Sequence, residues 1–115
     1  MVVEINEKIL VVEDDPMIMN LVTIYLEKAG YDVVNVEDGE KAKDMYFTHA
    51  PCLIILDLML PKVSGEAFCR WVRKQDAREV SIIMLSAKAR TEDKIAGLKM
   101  GADKYKNKMS IFGSL

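Results

Sequence analysis

Acidic, hydroxyl and amino side chains follow the apolar runs of this chain. Glu13 and Asp14 come directly after one aliphatic run, and Asp57 comes directly after another. Ser86 ends a third run, and Lys108 lies near the end of the sequence. Three carboxylates brought together repel one another unless a hard cation with oxygen ligands compensates their charge. If the fold gathers these residues, they predict a Mg²⁺ site that includes a carboxylate nucleophile.

Asp57 is the candidate nucleophile. It follows the four aliphatic residues 53–56, where an uncompensated carboxylate would be costly to bury. A carboxylate beside Mg²⁺ can attack phosphorus in line, because phosphoryl transfer needs mainly positioning and charge stabilisation. Lys108 would supply positive charge, and the Ser86 hydroxyl would bond a phosphoryl oxygen on Asp57. A contact made only in the modified state is what a switch requires.

Each of these residues also has an ordinary structural explanation. Acidic residues before Pro16 are typical of helix capping, Ser86 could satisfy a loop amide, and Lys108 could be a surface charge. His49 has no cysteine or second histidine at metal-ligand spacing, so we assign it no role. Only the combination, centred on Asp57, favours a site.

Strands and helices alternate along the sequence. Apolar runs predict strands at residues 8–12, 32–36, 53–56 and 81–85, and a short fifth strand is predicted around 104–107. Helices are predicted from residue 16, near 40–48, near 65–74, and from 91 to before 101. The first helix has the clearest boundaries, with Asp15 as N-cap, Pro16 in the first turn and Gly30 after its end.

This alternation predicts one α/β domain, residues 1–115, built on a doubly wound parallel sheet. The first, third and fourth strands are continuously apolar, as expected of strands covered on both faces. In such sheets the functional groups lie at the carboxyl ends of the strands. The polar residues that follow the strands should therefore share one rim.

Composition limits the other functions. The chain has 115 residues, half of them apolar, and a net charge of −2, so no broad positive field favours nucleic acid or an anionic membrane. We expect no export signal and no membrane span, because the apolar runs are short. Cys52 and Cys69 lack metal-site spacing and are expected to be reduced thiols, so we predict a cytoplasmic protein.

Together these segments resemble the receiver domains of two-component response regulators. The similar segments are residues 9–16, 57–65, 83–87 and 101–105. The resemblance implies a flavodoxin-like sheet of order 2-1-3-4-5, with Asp57 taking a phosphoryl group from a sensor histidine kinase. It implies Mg²⁺ bound by Asp14, Asp57 and the backbone carbonyl of Met59, with Glu13 acting through water. The domain would be no enzyme beyond its own phosphorylation and slow self-dephosphorylation.

The resemblance also implies a switch. Ser86 and Tyr105 would be the switch pair, and their movement would remodel the face formed by the fourth helix, fifth strand and fifth helix, where the domain would also self-associate. The segments look most like receivers attached to winged-helix DNA-binding domains. DNA binding would therefore need an effector domain that is absent from this chain.

The C-terminal end departs from the family pattern. Receivers usually have an apolar residue after the tyrosine and then a Lys-Pro pair, whereas this chain has Lys106 and Lys108-Met109. Residues 110–115 are too few for the usual fifth helix, so we expect that helix to be missing or truncated. An uncovered sheet face would then favour self-association.

Three alternatives follow from the same residues. A degenerate receiver would bind a partner without phosphorylation. A small phosphohydrolase would share the aspartyl nucleophile, but it usually has a second Asp where Met59 stands. A flavin-binding electron carrier would share the sheet, but residues 13–15 would repel its phosphate.

Overall fold

The described part of the chain alternates strands and helices. The computed structural model describes residues 7–75, 80–86 and 104–107, with the backbone alone described at 86 and 104–107. Its elements are β1 (Lys8–Val12), α1 (Pro16–Lys28), β2 (Asp32–Val36), α2 (Gly39–His49), β3 (Leu53–Asp57), α3 (Gly65–Arg73), β4 (Ser81–Ser86) and β5 (Lys104–Asn107). The predicted fourth helix and the expected truncation of the fifth lie outside the described residues.

The five strands form one parallel sheet in the order β2-β1-β3-β4-β5. This order confirms the predicted doubly wound arrangement. The order doubles back at β1, so β1 and β3 lie side by side although α1, β2 and α2 separate them along the chain. Their register pairs Val12 with Leu56, which brings the residues after each strand to the same rim.

The sheet has a core on each face. One cluster packs α2 and α3 against the side chains of Leu10, Val12, Ile54 and Leu56. The other packs α1 against the face that carries Ile9 and Val11. Side chains of a strand alternate between faces, so continuous aliphatic runs are what a sheet covered on both sides requires.

Helix boundaries agree with local capping chemistry. The Asp15 side chain accepts a hydrogen bond of 2.9 Å from the Met17 amide, and Pro16 begins α1. Gly30 follows the helix with φ of 96°, a left-handed conformation that favours glycine. These three predictions are confirmed. The second helix begins at Gly39, one residue before its predicted start, because Asp38 is its N-cap.

Candidate phosphoacceptor and metal site

Three carboxylates meet at the carboxyl ends of β1 and β3. One oxygen from each of Glu13, Asp14 and Asp57 lies within 4.8 Å of the others. The parallel pairing of β1 with β3 produces this cluster, because each strand delivers its polar residues at the same level. The structure therefore brings together three of the residues that the sequence placed at one rim.

The three carboxylates differ in their exposure. Glu13 and Asp57 are 2% and 3% exposed, whereas Asp14 is open to solvent. The Glu13 amide donates a 3.1 Å hydrogen bond to the Val36 carbonyl, which fixes the start of the β1–α1 loop against β2. Two of the acids are thus buried in the protein, and the third is exposed to solvent.

This oxygen cluster fits a Mg²⁺ ion. Mg²⁺ takes oxygen ligands at about 2.0–2.1 Å, so opposite ligands lie about 4 Å apart, close to the spacing of the three carboxylates. Mg²⁺ usually binds one or two carboxylates and keeps several waters. The three side chains therefore offer the oxygen atoms that such an ion would need.

The loop after β3 holds the Asp57 carboxylate. We call residues 58–64 the acceptor loop. The Met59 amide donates a 3.1 Å hydrogen bond to Asp57 Oδ1. At the start of the loop the Leu58 amide donates to the Leu85 carbonyl of β4, and the Gly65 amide beyond the loop donates to the Leu58 carbonyl, both at 3.0 Å. The carboxylate is therefore oriented by the loop that follows it.

A fourth acidic residue, Asp38, lies beside the acceptor loop and was not predicted to have any role. It is 4% exposed, and its Oδ1 accepts a 2.9 Å hydrogen bond from the Lys41 amide. Its Oδ2 lies 3.8 Å from Lys62 Nζ in the loop. The Lys41 amide lowers the pKa of Asp38, and the charge of Lys62 lowers that pKa further. An Asp-Gly pair before a predicted helix signals the cap, but the Lys62 contact needs the tertiary structure.

The remaining predicted site residues are described less fully. Ser86 ends β4, one residue after the Leu85 that pairs with Asp57. Tyr105 lies in β5 opposite Met84. Only the backbone of Ser86 and Tyr105 is described, and Lys108 lies outside the described residues. Within the described ranges, no helix is long and apolar enough to cross a membrane.

Comparison with known families gives a match over most of the chain. The family described as "Response regulator receiver domain" matches residues 9–112. The sequence is 46% identical over 103 residues to the alkaline phosphatase synthesis transcriptional regulatory protein PhoP of Bacillus subtilis. It is 44% identical over 102 residues to the DNA-binding dual master transcriptional regulator RpaA of a Synechocystis strain. The matches cover 90% and 88% of this chain but only 42% of each relative, so the chain spans about two fifths of their length.

Solved structures give the same result. The BeF3-activated N-terminal receiver domain of Klebsiella pneumoniae RstA is 36% identical, with a TM-score of 0.83, and the match covers 89% of this chain and 86% of that one. The Francisella response regulator 1452 receiver domain is also 36% identical, with a TM-score of 0.84 and coverage of 90% and 85%. The fold of this chain is therefore the flavodoxin-like fold that its resemblance implied.

Proposed function

This chain belongs to the response regulator receiver family, and we propose that its phosphoacceptor is Asp57. The observation that supports this assignment is the position of Asp57 at the end of β3, with one oxygen held by the Met59 amide and two further carboxylates beside it. The domain then acts in two-component signalling as a substrate of the phosphoryl transfer. The comparisons give no support to the alternative of a module that works without phosphorylation.

The reaction is a displacement at phosphorus. An Asp57 carboxylate oxygen forms a bond to phosphorus while the bond between phosphorus and the donor's imidazole nitrogen breaks. The imidazole keeps the electron pair of that bond. The Met59 amide restrains Oδ1, so the plane of the carboxylate is set before the donor arrives. The product is an acyl phosphate on Asp57.

The carboxylate ligands are proposed from the same geometry, whereas the Met59 carbonyl and the water-mediated role of Glu13 are proposed from the family resemblance. Asp14, Asp57 and the Met59 backbone carbonyl would hold Mg²⁺ directly, and Glu13 would act through water. When bound, Mg²⁺ supplies the positive charge that offsets the acids and the incoming phosphoryl oxygens. Because Glu13 and Asp57 are buried, solvent and salt screen their charges less than they screen an exposed acid.

The switch and the catalytic lysine remain proposals. We assign the phosphoryl contact to the hydroxyl of Ser86, the linked aromatic to Tyr105 and the charge-stabilising amine to Lys108. The strand positions support the first two, because β4 lies next to β3 and β5 lies next to β4. Slow self-dephosphorylation at Asp57 would be the only other reaction of the domain.

The partners follow from the family and from the relatives. The phosphoryl donor would be a sensor histidine kinase in the cytoplasm. The two named relatives are transcriptional regulators, so a longer protein containing this domain would regulate transcription through an effector domain. Self-association would use the fourth helix and β5, or the sheet face on which Ile55 and Ile83 are only partly buried.

One experiment tests the acceptor. The protein is incubated with Mg²⁺ and acetyl phosphate, and its intact mass is measured. We expect one added phosphoryl group, which Asp57→Asn abolishes and which Asp44→Asn, a change to an exposed acid on α2, leaves in place. No mass increase in the original protein would contradict the proposal, and continuous turnover of phosphate monoesters would instead support a hydrolase.

A further inference from the structure

The acceptor loop contains a strained turn at Lys62. Its φ is 66°, in the left-handed region, and the Val63 amide donates a 2.8 Å hydrogen bond to the Pro61 carbonyl across it. A residue with a side chain keeps this conformation only when its surroundings hold it there. The contacts of Lys62 and its neighbours therefore determine where the middle of the loop lies.

Two contacts hold this turn, and both reach the junction of β2 and α2. Lys62 Nζ lies 3.8 Å from Asp38 Oδ2. Gly39 lies so close to Val63 that a Cβ added to it would be 2.7 Å from both the Val63 Cβ and the Val63 carbonyl oxygen. Charge attraction and close backbone packing thus act on consecutive residues of the loop.

The Asp38 carboxylate is fixed at one end of this connection. Its Oδ1 accepts the Lys41 amide and so begins α2, while Oδ2 faces Lys62. The Asp38 side chain is 5% exposed and that of Lys62 is 58% exposed. The buried carboxylate is therefore the fixed partner of this pair, and Lys62 is the partner that belongs to the acceptor loop.

The same loop orients the phosphoacceptor. Met59, whose amide bonds Asp57 Oδ1, lies three residues before Lys62. We propose that Asp38 and Lys62, together with the close approach of Gly39 to Val63, are positioning elements that fix the acceptor loop and through it the Asp57 carboxylate. This inference rests on the proposed function of Asp57. It adds a support from β2–α2, which carries none of the proposed metal ligands.

Paired substitutions test the ion pair without removing the helix cap. Asp38→Asn keeps a good N-cap and loses the charge, and Lys62→Met loses the charge on the loop. We expect each change to weaken Mg²⁺ binding about two- to fivefold by calorimetry, the range of a partly exposed ion pair. The Met59 amide should also exchange with solvent faster in the metal-free protein by a similar factor. The double variant should show no larger effect than either single one. Lys62→Arg, which keeps the charge, should keep the original Mg²⁺ affinity and the original exchange rate of the Met59 amide.

The matched control is Glu37→Gln. Glu37 is one residue from Asp38, but its ion pair is with Lys41 at the start of α2 and not with a residue of the acceptor loop. It changes the net charge by the same amount as Asp38→Asn. We expect it to leave both Mg²⁺ affinity and Met59 amide exchange unchanged.

Gly39→Ala tests the packing contact. Alanine is a better helix former than glycine, so this change favours α2 by propensity while its Cβ displaces Val63. We expect Mg²⁺ binding to weaken about tenfold, the lower part of the range for overpacking, together with faster exchange at Met59.

The outcomes separate this inference from the proposed function. Normal phosphorylation at Asp57, with Mg²⁺ affinity and Met59 exchange unchanged in Asp38→Asn and Lys62→Met, would overturn the positioning role alone. If the original protein takes no phosphoryl group, the proposed function fails, and exchange at Met59 in the metal-free protein still decides whether these residues fix the loop.

Discussion

Gly65 packs directly against the backbone of Asp57. A Cβ added to Gly65 would overlap the Asp57 carbonyl oxygen and would lie 2.8 Å from the Leu58 Cα. Backbone atoms at the end of a buried strand cannot move aside as a flexible side chain can. Gly65→Ala should therefore lower the free energy of unfolding by about 3 kcal/mol, the upper part of the range for overpacking, measured by urea unfolding.

Gly30→Ala is the control for this prediction. Gly30 has a left-handed φ, which Gly65 does not, and no atom lies within 4 Å of its Cβ position. The cost there should be about 1 kcal/mol, from backbone strain alone. Equal losses in the two variants would mean that contact with Asp57 is not what requires glycine at position 65.

The pKa of Asp38 predicts a dependence of stability on pH. The Lys41 amide, followed by the charge of Lys62, lowers this pKa below its ordinary value of 3.8. The contribution of Asp38 to stability is therefore fully present above pH 3.8 and is lost as the pH falls through the folded pKa. Asp38→Asn should be less stable than the original protein at neutral pH, and this difference should shrink in strong acid.

Urea unfolding midpoints measured from neutral pH down to about pH 2 check this prediction, since a carboxylate with a lowered pKa loses its contribution only as the pH falls through that pKa. The Glu37→Gln protein serves as the reference, because Glu37 is an exposed acid at the same helix end. A difference between Asp38→Asn and the original protein that stays constant with pH would contradict the assignment.

Met59 should determine how long the phosphoryl group persists. Its side chain is 66% exposed beside the acceptor and has no group that can orient an attacking water. Met59→Asn supplies such a group, so the phosphoprotein should decay several times faster, followed by intact mass after the donor is removed. Met59→Leu is the matched control and should decay at the original rate. Faster decay in the original protein than in Met59→Asn would refute this prediction.

Phe47 should stabilise the packing of α2 against α3 despite its exposure. Its ring meets Trp71 edge to face at 5.3 Å between centroids, while 63% of the residue is exposed. Aromatic pairs contribute about 0.5–1.5 kcal/mol beyond area burial, so Phe47→Ala should lower the free energy of unfolding by at least this amount. Met17→Ala, at a residue that is 65% exposed, should change it by less than about 0.5 kcal/mol. Equal effects of the two changes in chemical unfolding would count against the ring contact.

The parts of the fold that depend on neighbours in sequence could be predicted well. Residues 9–12 and 53–56 are aliphatic throughout, and the structure places them in a sheet covered on both faces, with 9–12 fully buried and 53–56 buried or half-buried. Asp15 and Pro16 marked the start of the first helix because capping is chemistry between adjacent residues. The common rim of Glu13, Asp14 and Asp57 followed from parallel pairing, which fixes the direction in which every strand ends.

The contact between Asp38 and Lys62 could not be predicted in the same way. It joins loops that follow different strands, and its distance depends on how α2 and the acceptor loop pack together. A lysine with a left-handed φ also has no local signal, since asparagine or glycine is the usual residue there. Lys108 lies outside the described residues, so its role stays a prediction.

The register of β1 against β3 determines whether related sequences can keep the site. Inserting one residue within β3 would turn Asp57 toward the opposite face of the sheet, although every acid would still be present in the sequence. Ile54 and Leu56 have zero exposure, and such a slip would move both to the opposite face, where the neighbouring Leu53 and Ile55 are only partly buried. Unreactive aliphatic side chains thus keep the Asp57 side chain on the correct face of the sheet. A count of acidic residues in a distant homologue would not reveal the loss of these aliphatic residues.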